Sequence, residues 1–130
     1  MFLGLRTVIY PAADVVASKA WFTKLLGVAP YFDEPFYVGF DVGGYELGIV
    51  PRGDDGSESE PVVYWGVPSA DVALAMLIDA GATVRDEVTD VGEGIRVAAV
   101  REPSGNLFGV IENPNFVLGE TGVPTEGQGR

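Results

Sequence analysis

Pro11-Ala12-Ala13-Asp14-Val15-Val16 returns 57 residues later as Pro68-Ser69-Ala70-Asp71-Val72-Ala73. Asp41-Val42-Gly43-Gly44 with Leu47-Gly48-Ile49-Val50 returns 61 residues later as Glu102-Pro103-Ser104-Gly105 with Phe108-Gly109-Val110-Ile111. Two copies of one supersecondary unit in a 130-residue chain predict a pseudo-symmetric fold, with a seam between the copies where a ligand can sit.

Around those echoes the elements repeat in order. Leu5 to Tyr10 reads as a strand ended by Pro11, whose ring removes a backbone donor. Asp14 is a good N-cap for a helix from Val15 to Leu26, with Val16, Ala20, Phe22 and Leu26 at helical spacing and Gly27 as the stop. Three short apolar runs follow: Val28 to Asp33, Phe36 to Val42 and Tyr45 to Val50, the last two joined by the hairpin signal Gly43-Gly44. In the second half Pro61 to Val67 is a strand, and Asp71 is expected to cap a helix to Ala80 with Val72, Met76, Leu77 and Ala80 on one face. The runs Thr83 to Val88, Ile95 to Arg101 and Asn106 to Glu112 complete it. The prediction is one α+β domain over residues 1–130: two βαβββ repeats (about 3–50 and 61–114) forming a curved mixed sheet around a cavity, helices outside. Residues 51–60 read as a linker and 115–130 as a flexible tail.

Composition narrows the chemistry. The net charge of −11 disfavours nucleic acid and anionic membranes, which require basic patches. With no Cys, disulfides, thiolate catalysis and cysteine-ligated metals are excluded. With no His, the commonest metal ligand and neutral-pH base are missing, and a Ser-His-Asp triad is impossible. No secretory signal or membrane span is visible, so the expected location is cytoplasmic. The acidic run Asp54, Asp55, Glu58 and Glu60 lies among Gly53, Gly56 and Ser57 and reads as a solvated loop.

Trp21-Phe22-Thr23-Lys24-Leu25-Leu26-Gly27-Val28 and the closing stretch Glu102-Pro103-Ser104-Gly105-Asn106-Leu107-Phe108-Gly109 through Pro114 resemble the vicinal oxygen chelate superfamily, which includes glyoxalase I, bleomycin resistance proteins and extradiol dioxygenases. The likeness covers about residues 3–114. In metal-using relatives four ligands sit on the first and last strand of each copy. The equivalent positions here are Thr7, Gly48, Tyr64 and Gly109. Neither glycine offers a ligand, and Thr and Tyr are poor ones for a labile divalent ion, so no metal and no cofactor are expected.

Alternation then names the lining. If Thr7 and Tyr64 face inward, so do Ile9 and Gly66; if Gly48 and Gly109 do, so do Glu46, Val50, Leu107 and Ile111. Thr7, Ile9, Glu46, Gly48, Tyr64, Leu107 and Gly109 are the candidate ligand-binding residues. The two glycines either open space for a ligand or permit close packing. Glu46, an acid inside an apolar strand, is suited to general-base work or to holding a cation, or else lies on an exposed edge. Tyr64 can donate a hydrogen bond, stack on a planar ligand, or serve as a wall. Glu46 and Tyr64 are the catalytic candidates. Trp65 has the opposite parity and is expected under the helix. Arg96 pairs on the surface or binds a ligand carboxylate. Glu112 anchors the chain end or an interface. The cluster Tyr31, Phe32, Phe36, Tyr37 and Phe40 is either core or the lining of the cavity mouth.

Three functions compete. One is a metal-independent binder of a planar or cationic small molecule, similar to the bleomycin resistance branch and, by that resemblance, a homodimer. The second is a glyoxalase-like lyase, isomerase or dioxygenase with an atypical site at Glu46 and Tyr64. The third is a non-catalytic regulatory domain.

Overall fold

The computed structural model describes residues 2–53 and 59–116. The elements are β1 (Gly4–Ala12), α1 (Val15–Leu26), β2 (Phe32–Glu34), β3 (Tyr37–Val42), β4 (Tyr45–Pro51), β5 (Val62–Gly66), α2 (Ala70–Asp79), β6 (Thr83–Gly92), β7 (Ile95–Arg101) and β8 (Leu107–Glu112). This is βαβββ twice, an α+β architecture. The expected linker falls partly, and the expected tail mostly, outside the described residues. Among the described residues no helix is long and apolar enough to cross a membrane.

The chain divides into two compact units, the first built on residues 7–53 and the second on residues 2–6 with 62–116. The first has strand order β2-β3-β4-β1 and the second β5-β8-β7-β6. In each, the strand before the helix pairs in parallel with the last strand of the copy, and the other pairings are antiparallel. The copies differ by a slide of two residues. Tyr64 lies opposite Gly109, whereas Gly48 lies opposite Ile9, and Thr7 opposite Glu46. An even slide leaves every side chain on its face, where a one-residue slip would invert them all.

One helix closes one sheet face in each unit. In the first, Val15, Phe22 and Leu26 of α1 cover Ala12, Val38, Phe40 and Ile49. In the second, Ala73, Leu74 and Leu77 of α2 cover Val67, Ala98, Val100 and Val110. Phe22, Leu26 and Leu77 face the core as expected, but the rest of each expected stripe does not. Val16 and Ala20 point outward, Val16 being 72% exposed, as do Val72 and Met76. Each helix carries apolar residues around much of its circumference, so periodicity admits more than one buried stripe, and the strand–helix connection selects among them.

The helix ends follow local chemistry. Asp14 accepts from the Ala17 N–H at 3.0 Å, and Gly27, at φ 74°, turns the chain out of α1 with its N–H on the Thr23 carbonyl. For α2 the cap is Ser69 rather than Asp71: its hydroxyl accepts from the Val72 N–H at 3.2 Å. Glu112 accepts from the Ala70 N–H at 2.9 Å, so this carboxylate anchors the start of α2. Asp71, two residues past the cap and within the first turn, pairs instead with Arg96. The Asp71 hydrogen bond pushes the Arg96 pKa up, burial opposes it, and the charges of Asp71, Glu112 and Asp90 reinforce it.

Ser69→Ala is expected to lower the urea-unfolding free energy by about 1 kcal/mol, the usual worth of a side-chain N-cap. Asp71→Asn, which leaves the cap in place, should cost less. Equal losses in the two variants would return the capping role to Asp71.

Candidate functional site

The site follows from which face each unit leaves uncovered. In β3 and β4, Val38, Phe40, Leu47 and Ile49 turn toward α1. The intervening Tyr37, Gly39, Asp41, Glu46 and Gly48 therefore face the other way, as do Thr7 and Ile9 on β1, which lie opposite Glu46 and Gly48. Thr7, Ile9, Glu46 and Gly48 thus share one face of the first unit, and Thr7 is only 7% exposed.

Glu46 is the focus of this face. Its Oε2 accepts the Tyr37 hydroxyl at 2.7 Å and the Tyr31 hydroxyl at 2.5 Å. Tyr37 comes from within β3, half-buried. Tyr31 precedes β2, is held by its N–H on the Gly39 carbonyl at 2.9 Å, and is 56% exposed. Both rings rest on glycine. An ideal Cβ at Gly48 would lie 2.7 Å from Tyr37 Cζ and 2.6 Å from Ile9 Cδ1; one at Gly39 would lie 3.1 Å from Tyr31 Cε1 and 2.9 Å from Glu46 Oε2. The space above Gly48 is therefore filled by the protein's own side chains.

Asp41 lies directly across from Glu46 on the neighbouring strand. Its Oδ1 accepts the Gly44 N–H at 2.8 Å, while its Oδ2 is buried with no hydrogen-bond partner among the described residues. Facing carboxylates repel and concentrate negative potential on this face. Beyond them Phe32 and Phe36 stand 40% and 65% exposed, each ring 6.0 Å from its neighbour in the series Tyr37, Phe32, Phe36. The aromatic cluster thus splits by parity: Phe40 is core, and Phe32 and Tyr37 belong to the site face.

Tyr64, Leu107 and Gly109 take the corresponding face of the second unit. Phe108 and Val110 alternate with them and pack toward α2. The Tyr64 ring covers Gly109, with Cδ1 2.5 Å from an ideal Cβ there. Trp65 turns the other way and stacks on Phe108 at 5.3 Å. Arg6 lies along Gly66, its guanidinium 4.0 Å over the Phe116 ring. Glu46 and Tyr64, the catalytic candidates, belong to different units.

Of the four family ligand positions, two are glycines, and Thr7 and Tyr64 bring only hydroxyls. Among the described residues no group of three or more acidic side chains is arranged to hold a metal ion. A groove of about 480 Å³ lies on the α1 side of the first unit, lined by Val15, Val16, Pro35 and Val38 beside the Lys19–Asp33 ion pair. None of the candidate residues lines it.

Sequence reasoning missed the partners of Glu46. The alternation Tyr37, Gly39, Asp41 against Val38, Phe40 carried the signal for Tyr37 and Asp41. Nothing local carried it for Tyr31, which lies 15 residues from its acceptor. Gly48→Ala is expected to force Tyr37 or Ile9 aside and to cost roughly 1–3 kcal/mol, as overpacking does. Chemical denaturation checks this, and an unchanged midpoint would mean that the tyrosine does not rest there.

A family model for the Glyoxalase/Bleomycin resistance protein/Dioxygenase superfamily matches residues 4–110. Among solved structures, methylmalonyl-CoA epimerase from Mycobacterium tuberculosis is 16% identical with a TM-score of 0.70, covering 86% of this chain and 89% of its own. A Streptomyces coelicolor methylmalonyl-CoA epimerase variant in complex with 2-nitronate-propionyl-CoA is 14% identical with a TM-score of 0.69, covering 89% and 98%. A superfamily member from Vibrio splendidus is 17% identical with a TM-score of 0.65, covering 83% and 97%. At such identities the likeness is one of fold. No curated protein matches the sequence. With the repeated βαβββ unit and the family match over most of its length, the chain belongs to the glyoxalase/bleomycin resistance protein/dioxygenase superfamily.

Proposed function

We propose that the protein binds a planar or cationic small molecule, without a metal, on the face of the first unit that carries Glu46. The observation that supports this most directly is the Glu46 carboxylate, held at one oxygen by two tyrosine hydroxyls and faced by Asp41. A carboxylate with one oxygen so engaged still offers acceptor capacity on the other. Beside it, exposed phenyl rings offer stacking surface to a planar guest and cation–π attraction to a charged one. The net charge of −11 adds a field that draws cations toward such a face. The absence of acidic or imidazole ligands at Thr7, Gly48, Tyr64 and Gly109 supports metal independence. On this face Thr7 lies opposite Glu46, and Gly48 carries the ring of Tyr37 and the side chain of Ile9; Leu107 and Tyr64, the latter over Gly109, stand on the corresponding face of the second unit. The working state is read as a homodimer, on the family resemblance alone, and the expected location is cytoplasmic.

The fold likeness to methylmalonyl-CoA epimerases favours a second reading, an isomerase. There Glu46 would accept a proton from a carbon acid. The two readings divide on turnover.

A thermal-shift screen of planar amines and their neutral analogues is the test. A bound ligand at a hundredfold excess over its Kd stabilises by about 2.7 kcal/mol. Glu46→Gln should abolish the shift while leaving the circular dichroism spectrum unchanged. A shift that survives Glu46→Gln, or one that requires a divalent ion, would overturn the proposal.

A further inference from the structure

Resting on that reading of the Glu46 face, we infer that Tyr31 occupies the place of the ligand, and that the ligand presents an aromatic ring with a single hydrogen-bond donor, a phenol or an aromatic amine.

Two hydroxyls share one carboxylate oxygen, and they are not held alike. Tyr37 reaches Glu46 from the first residue of β3, half-buried, with its ring over Gly48, where Ile9 also reaches. Tyr31 reaches the same oxygen from the segment before β2, and more than half of its surface faces solvent. Glu46 keeps a donor if Tyr31 leaves, and the hydroxyl of Tyr31 finds water.

What Tyr31 would vacate is shaped like its own ring. Gly39 has no Cβ to obstruct it, and Tyr31 Cε1 and Cζ lie 3.1 and 3.2 Å from where that Cβ would be. Phe32 lies directly opposite Gly39 in the strand register and flanks this shelf. Glu46 Oε2, 2.9 Å from the same ideal Cβ, ends it. A flat shelf, a neighbouring ring and a terminal acceptor are satisfied by a planar ring with one O–H or N–H at its far end. The Asp41 carboxylate opposite Glu46 disfavours any acceptor or anion in that position. Tyr31 therefore excludes weak guests and yields to a ring with a better donor, so it sets specificity by competition.

The test is titration of the full chain with 4-methylphenol, with 4-methylaniline and with toluene as a control, followed by backbone amide NMR. Expected in the wild type are shifts at Gly39, Glu46 and Gly48 for the two donors, with toluene much weaker. Competition by a side chain that leaves its site open a tenth of the time lowers apparent affinity about tenfold. Tyr31→Ala should accordingly tighten 4-methylphenol by about that factor, and Glu46→Gln in the same background should remove the gain. Tyr31→Phe keeps the ring without its hydroxyl and should show part of the gain, covering the case in which Tyr31→Ala folds poorly. If all three probes shift these amides equally and neither Tyr31 variant gains affinity, the inference about Tyr31 falls and the binding face stands. If no probe shifts them, in wild type or variants, both fall.

Discussion

The four strands of each unit present two faces and have one helix to cover them, and that constraint organises the rest. The helix takes the buried apolar face, Val38, Phe40 and Ile49 in the first unit, Ala98, Val100 and Val110 in the second. Burial of those groups supplies the main driving force for each unit. The other face must then be satisfied by a different means, and the chain meets it with tyrosine rings laid on glycines. Tyr37 on Gly48 and Tyr64 on Gly109 are the same solution reached from different strands. An aromatic ring against backbone restores the close packing that a missing side chain would forfeit.

That arrangement explains the position of Glu46. A carboxylate on a half-buried strand is costly unless hydrogen-bonded, and the rings covering the glycines deliver their hydroxyls to it. Packing and polar satisfaction are therefore one structure here, and a change at Gly39 or Gly48 reaches Glu46 through Tyr31 or Tyr37. The electrostatic cost that remains is at Asp41, where a buried carboxylate oxygen has no donor among the described residues. Such unsatisfied atoms are uncommon in native proteins and concentrate where function tolerates strain.

Two parts of the fold show how local rules fared. The N-cap at Asp14 and the stop at Gly27 were readable because both depend on backbone geometry within a few residues. At the second helix the same reasoning favoured Asp71 because it repeats Asp14, yet Ser69 caps, and Asp71 is drawn to Arg96 across 25 residues of chain. The buried stripes of both helices were only partly legible for a related cause: Phe22, Leu26 and Leu77 pack inward as expected, but Val16, Ala20, Val72, Met76 and Ala80 do not. A helix apolar around much of its surface does not declare its inner face, and only docking onto the sheet does.

The internal repeat, the order of elements and the common face of Thr7, Ile9, Glu46 and Gly48 were all determined by the sequence alone. They rest on periodicity two, turn residues and capping, which act between near neighbours along the chain. The tertiary structure alone decided what lies over the glycines and which hydroxyls hold Glu46. Tyr31 and Glu46 meet only because β2 pairs with β3 and β3 with β4, placing Gly39 and Glu46 on adjacent strands. Contacts of that kind depend on strand register and on the direction of long side chains, neither of which is written in any local window of sequence.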